Sequence, residues 1–253
     1  MSKLNRDVTT SSKPARLSKT AHPFDPTRAG TSERIWAGVL DRAPDWLPAR
    51  QSLLVVSPHP DDEVLGVGGL MHMHAHSGQD VTVVSVTDGE AAYPDWTELA
   101  RVRERELADA LLVLGAGRIG VIRLRIPDGQ VSQHRDALMT ALIPLVVGMP
   151  TLIAPYEWDG HPDHDAAGAV CGDIARLYGL RLVRYPIWAW HHATPADFGR
   201  ARWGRFCLTP TARRAKRRAI RCFTSQLRPS GRAPIIPRHV VPHFERRYEA
   251  VML

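Results

Sequence analysis

Cysteine is scarce in this 253-residue chain and long apolar runs are missing, and both shortages narrow its class. Three cysteines (Cys171, Cys207 and Cys222) cannot all pair with one another, and their spacing fits no zinc ribbon. Free thiols in a reducing, cytoplasmic compartment are the expectation. No apolar stretch approaches the roughly 20 residues a membrane-spanning helix needs. The opening MSKLNRDVTTSSKPARLSKT has basic residues but no apolar core of a secretory signal. Residues 1–30 are poor in large apolar side chains, so a flexible, loosely attached arm is expected there.

What the chain does contain is ordinary globular material, with 44% hydrophobic and 23% charged residues, enough for a full core. Its net charge of +7 is uneven, concentrated in the arm and between Arg200 and Arg221, where RRAKRR occupies Arg213 to Arg218. A nucleic-acid surface would rest on that run. With no interleaved aromatics or finger pattern beside it, a solvated basic face is the expected reading, and attraction to an anionic substrate or lipid headgroup comes next.

Short apolar runs alternate with longer amphipathic stretches from Thr31 to the C-terminus. Thr31 or Ser32 caps a short helix through Ile35, Trp36, Val39 and Leu40. Strand-length runs fall at Ser52–Ser57, Val81–Val86, Ile119–Leu124, Thr151–Ala154 and Arg181–Tyr185. Helical patterns span Glu98–Leu114, stopped at Gly115, and Asp163–Tyr178, with Ala167, Val170, Cys171, Ile174 and Leu177 facing inward. Strands buried on both faces and alternating with helices imply an α/β fold: one Rossmann-like three-layer domain over residues 31–253 with a mainly parallel sheet. Tyr185–His192 (YPIWAWHH) reads as a further strand with exposed aromatics. Gly66, Gly68 and Gly69 do not form a dinucleotide fingerprint and instead permit close helix–sheet contact. His72, His74 and His76 are expected on a helix surface.

Two polar clusters follow the first and fourth strand runs: Pro58-His59-Pro60-Asp61-Asp62-Glu63 and His161-Pro162-Asp163-His164-Asp165. In parallel sheets the loops at the carboxyl ends of strands line the ligand crevice, so both clusters belong on one edge. His59 and Asp62, three residues apart, can aim an imidazole and a carboxylate at one point, and His164 adds a third ligand. Two nitrogens and one oxygen suit Zn²⁺ with an open fourth position. Asp61, adjacent to a ligand but free to face elsewhere, is placed to act as general base. His161 is the candidate oxyanion stabiliser or acid, with Asp163 expected to fix its tautomer.

The paired PHPDDE and HPDH motifs resemble the LmbE-like or PIG-L family of zinc-dependent N-deacetylases, over roughly Leu53 to Tyr185. The resemblance implies zinc on His59, Asp62 and His164, Asp61 as general base, and His161 with neighbouring Asp163 as acid or electrostatic catalyst. It also implies active-site roles for Thr87-Asp88-Gly89-Glu90, for the Arg103/Glu106 pair and for Pro127-Asp128, with Arg103 and Asp128 contacting substrate. Where some members carry a tyrosine two residues before the second motif, this chain has Asp159, so no tyrosine acid is assigned. The implied substrate is a small-molecule amide, an N-acetylated sugar conjugate, and the oligomeric state stays open. A zinc amidase for non-sugar N-acyl compounds is the nearest rival; a nucleic-acid-binding protein on a retired scaffold is a more distant one.

Overall fold

The computed structural model describes residues 25–48, 51–149, 151–199 and 201–253. Up to residue 24, the expected arm lies outside the described residues. Its described end is tethered: Thr31 N–H donates to the His191 carbonyl at 2.7 Å, and the His191 ring lies 3.3 Å from the Asp25 carbonyl.

The five strand runs form β1 (Leu53–Ser57), β2 (Val81–Ser85), β3 (Ile119–Arg123), β4 (Thr151–Pro155) and β5 (Arg181–Tyr185), all parallel. Two further strands, β6 (Trp203–Cys207) and β7 (Tyr248–Met252), extend the sheet to the order β3-β2-β1-β4-β5-β7-β6. Strand β7 runs antiparallel to both neighbours. The sequence pattern did not mark it, because Glu249 interrupts its apolar run.

Side-chain alternation divides the core into two layers. Leu53 and Val55 of β1 join one cluster; Leu54 and Val56 join the other. The first cluster is closed by α2 (Asp62–His76), α3 (Leu99–Gly115) and α7 (Pro210–Ile220), and the second by α4 (Arg135–Val146) and α5 (Pro162–Tyr178). Helix α1 (Glu33–Leu40) starts after Ser32, as expected, and buries Trp36 and Leu40. The result is the expected three-layer α/β arrangement. No helix among the described residues is long and apolar enough to cross a membrane.

Three expectations about packing change. Leu177 is 69% exposed, not inward: it lies in the last turn of α5, beside the 43% exposed Tyr178, where the helix runs past the elements that cover Val170 and Ile174. His72 and His74 are buried rather than on a free surface. The His72 ring bonds the Leu114 carbonyl at 2.7 Å, because α2 packs against the end of α3. Tyr185–His192 leaves the sheet after Tyr185 and turns into α6 (Ala189–His192), with Trp188 and Trp190 buried. Trp190 stands edge-on to Trp36 at 4.9 Å and stacks on Trp203 at 5.2 Å, so it is core.

Helix α2 breaks at Val67, whose φ/ψ of −136°/23° interrupts the ladder. The Glu249 carboxylate accepts from the freed N–H groups of Gly69 and Leu70 at 2.7 and 2.8 Å, and buried Lys216 pairs with it at 2.7 Å. The glycines act as expected: a Cβ on Gly66 would lie 2.3 Å from the Tyr185 ring, and one on Gly69 2.5 Å from Leu208. Replacing Lys216 with Met strands the buried Glu249 charge, with an expected loss of about 3–5 kcal/mol in chemical denaturation. A loss below about 1 kcal/mol would show that the break does not depend on the ion pair.

Candidate active site

Strand β1 lies between β2 and β4, so the loops leaving β1 and β4 emerge side by side from the carboxyl edge. Their clusters, about a hundred residues apart in sequence, converge. His59 Nδ1 is 3.2 Å from Asp62 Oδ2 and 3.2 Å from His164 Nε2, and His164 Nε2 is 3.1 Å from Asp62 Oδ2. Two zinc ligands at tetrahedral angles and bond lengths of 2.0–2.1 Å stand about 3.3–3.4 Å apart, so this triangle of two nitrogens and one oxygen fits a four-coordinate divalent ion. His161 also brings a ring nitrogen within 4.8 Å of those of His59 and His164.

The outward nitrogens of both imidazoles are held by carboxylates, as in metal sites where outer partners fix the ligand's tautomer. His164 Nδ1 meets Asp159 at 2.8 Å, and His59 Nε2 meets Asp128 at 3.0 Å and Asp163 at 3.3 Å. Buried Asp159 also accepts from the N–H groups of Ile187, Trp188 and Ala189 at 2.8, 2.9 and 3.1 Å. That capture of consecutive amides bends the chain after β5, which is why the expected strand does not continue. Sequence reasoning missed this role of Asp159, although an acid five residues before His164 was in plain view.

Asp163 departs from expectation. Its carboxylate accepts from Gly129 and Val131 N–H at 2.7 and 3.1 Å and faces His59 instead of fixing His161. At the start of α5 the side chain points across to the Pro127–Val131 turn; only its backbone N–H reaches His161, donating to Nδ1 at 3.3 Å. Asp128, expected on substrate, lines the cavity but has one oxygen on His59 and the other on Ala91 N–H at 2.9 Å.

Asp61 sits at φ 137°, a backbone region that L residues rarely occupy and that marks stored strain beside a reactive group. Arg103 holds it there, with Nη2 3.1 Å from the Asp61 carboxylate and 2.7 Å from the Pro60 carbonyl, while Nη1 reaches the Gly89 carbonyl at 3.1 Å. Arg103 therefore holds the Asp61 carboxylate in place, and it does not pair with Glu106, which binds Thr224 and Ser225. Thr87 donates to the Pro58 carbonyl at 2.9 Å, and Glu63 takes the Ser57 hydroxyl at 2.6 Å, so both motif residues stiffen the first loop.

Burial pushes the Asp61 carboxyl up to about 8 against the pull of Arg103. Burial would also raise Asp62, but His164 and His59 hold it well below the usual carboxylate range. Burial, with His164 and His59 close by, pushes the His161 imidazole down to about 3.

The cluster opens into a cavity of about 300 Å³. One wall is polar, with His59, Asp61, Asp128 and His161; the other is largely apolar, with Leu65, Trp188, Ile235 and Ile236. The apolar wall draws on the C-terminal third, which carries no motif.

The profile of a family described as PIG-L: GlcNAc-PI de-N-acetylase matches residues 54–175. A 1D-myo-inositol 2-acetamido-2-deoxy-alpha-D-glucopyranoside deacetylase of Rhodococcus jostii is 30% identical over 178 residues, covering 51% of this chain and 61% of that protein. A diacetylchitobiose deacetylase of Thermococcus kodakarensis is 34% identical over 140 residues, covering 51% of each. This chain thus spans between half and two thirds of the length of these curated relatives. A conserved Thermus thermophilus protein of known structure superposes with a TM-score of 0.51 at 30% identity, over 68% of this chain and 80% of that one.

Asp159→Ala frees the His164 ring and removes the anchor of three backbone amides. It is expected to weaken divalent-metal binding about 10- to 100-fold in chelator competition; unaltered affinity would remove Asp159 from the metal site.

Proposed function

Because this chain belongs to the PIG-L family, we propose that residues 31–253 form a zinc-dependent hydrolase that removes the N-acetyl group from an N-acetylglucosamine-type sugar or glycoconjugate. The observation that carries this reading is the 3.1–3.2 Å triangle of His59, Asp62 and His164 beside Asp61, a carboxylate outside the triangle. Both named relatives act on compounds whose shared feature is an acetamido sugar. The unpaired thiols of Cys171, Cys207 and Cys222 suit a cytoplasmic setting.

His59, Asp62 and His164 would hold the zinc ion. Once bound, it supplies Lewis acidity, polarising the amide carbonyl and easing the loss of a proton from water. Asp61 takes that proton as the water oxygen attacks the carbonyl carbon. It then hands that proton to the departing amine as the carbon–nitrogen bond breaks. The overall products are acetate and a free amino sugar.

The His161 ring accepts from Asp163 N–H at Nδ1, which leaves Nε2 to carry the proton. Burial keeps the ring neutral, and it donates from there to the oxygen that gains charge during attack. Asp163 and Asp128 orient His59, and Asp128 also faces the sugar from the cavity wall. Arg103 works through Asp61, keeping one carboxylate oxygen in place.

Asp61→Asn is expected to retain zinc and lose about 10²- to 10⁴-fold in turnover, measured by metal analysis alongside mass-spectrometric detection of the free amine. Zinc loss in that variant would reassign Asp61 to the metal. His164→Ala is expected to lose the metal, and full zinc content there would remove the third ligand. A screen of N-acetylated glycosides and non-sugar amides tests the substrate class, and cleavage of non-sugar amides alone would replace it.

A further inference from the structure

Helix α6 is four residues long, too short to hold itself together or to set its own position. What places it are the groups that take its unpaired ends. At the front, the Asp159 carboxylate accepts from the N–H groups of Ile187, Trp188 and Ala189, and the Asp159 carbonyl lies 2.7 Å from His192 Nε2. At the back, the carbonyls of Trp190 and His191 find no donor further along the chain. Four residues beyond Trp190, the Thr194 N–H is turned to the Asp197 carboxylate at 2.7 Å, and four beyond His191 stands Pro195, which has no N–H. Both carbonyls are taken instead by residues from the start of the described chain. The Trp36 indole N–H donates to the Trp190 carbonyl at 2.6 Å, and Thr31 N–H donates to that of His191 at 2.7 Å.

This approach is close. A Cβ on Gly30 would lie 2.3 Å from both Nδ1 and the carbonyl oxygen of His191, so the segment reaches α6 only because residue 30 has no side chain. The helix is thus held between the N-terminal segment and Asp159, and Asp159 is the group 2.8 Å behind His164 Nδ1. We propose that residues 25–36 clamp α6 and so position Asp159 and the His164 ring: Thr31 and Trp36 are positioning residues for the metal site, acting through α6. This rests on the metal site proposed above. When a back contact is lost, α6 moves off the Asp159 carboxylate, which then holds the His164 imidazole less firmly, and a less well oriented ligand grips its ion more weakly.

The test is a double-mutant cycle on the full chain, read by chelator competition for Zn²⁺ and by the visible absorption of the Co²⁺-loaded protein. Gly30→Ala pushes the segment off α6, and the nearest atoms its Cβ meets all belong to His191. It is expected to weaken Zn²⁺ binding about 2- to 10-fold, the worth of one hydrogen bond, and to shift the Co²⁺ bands. In the Asp159→Ala background the same substitution is expected to change neither readout, because the route to His164 is already cut. Thr31→Pro deletes the N–H donor to His191 without adding a Cβ at position 30 and is expected to match Gly30→Ala, so misfolding of one variant cannot hide the answer. Unchanged affinity and an unshifted spectrum in the folded variants would overturn the proposal. An equal loss with and without Asp159 would overturn it too, since the effect would then bypass α6. Absence of Zn²⁺ binding by the unsubstituted protein sinks the metal site itself; binding that is indifferent to the clamp sinks only the clamp.

Discussion

Much of this molecule is organised by the need to keep a dense group of acids and imidazoles dry at the edge of one sheet. Asp61, Asp62, Glu63, Asp159, Asp163, His59 and His164 are all buried within two loops and the helix starts that follow them. Carboxyl groups, ionised or not, are not buried cheaply without partners. Each one here has them: imidazoles for Asp62, Arg103 for Asp61, a serine hydroxyl for Glu63, and backbone amides for Asp159 and Asp163. The partners come from distant parts of the chain, so satisfying the acids also fixes the path of the Pro127–Val131 turn and of the bend after β5. A divalent ion in the His59–Asp62–His164 triangle completes this neutralisation, and the same charges that make the pocket costly when empty make it a good receptor.

The C-terminal third is joined to that centre by a second buried charge. Glu249 on β7 caps the broken helix α2, whose first turn carries Asp62, and Lys216 on α7 balances it. A related contact operates at α3, where Arg103 braces the Asp61 loop and Glu106, one turn on, captures the short helix Thr224–Leu227. One helix is therefore tied both to the loop after β1 and to the C-terminal third. The family resemblance offered Arg103 and Glu106 as one motif; their separate attachments make α3 the link between the Asp61 loop and the C-terminal third.

Legibility in the sequence follows the range of the interactions. The five parallel strands and the helices α1, α3 and α5 could be read because each is encoded by local periodicity and a nearby stop. The convergence of His59, Asp62 and His164 could be read because they sit in compact motifs after strands whose parallel pairing was itself legible. The Tyr185–His192 bend escaped because Asp159, not any local preference, turns it. Strand β7 escaped because its charged residue is neutralised by α7, and His72 escaped because α3 covers it.

Residue order alone specifies the α/β class, the sheet edge where the two polar clusters meet and the residue types able to grip a divalent ion, since all of these follow from repeat spacing and short motifs. Only the tertiary structure decided which partner each acid takes. It turned Asp163 to His59 instead of His161, set Asp159 behind His164, made Arg103 a brace for Asp61 and brought Ile235 and Ile236 to the cavity. Those assignments depend on hydrogen bonds only about 3 Å long between groups far apart in the chain. Such distances are set by how sheets and helices pack, and no local pattern of residues encodes them.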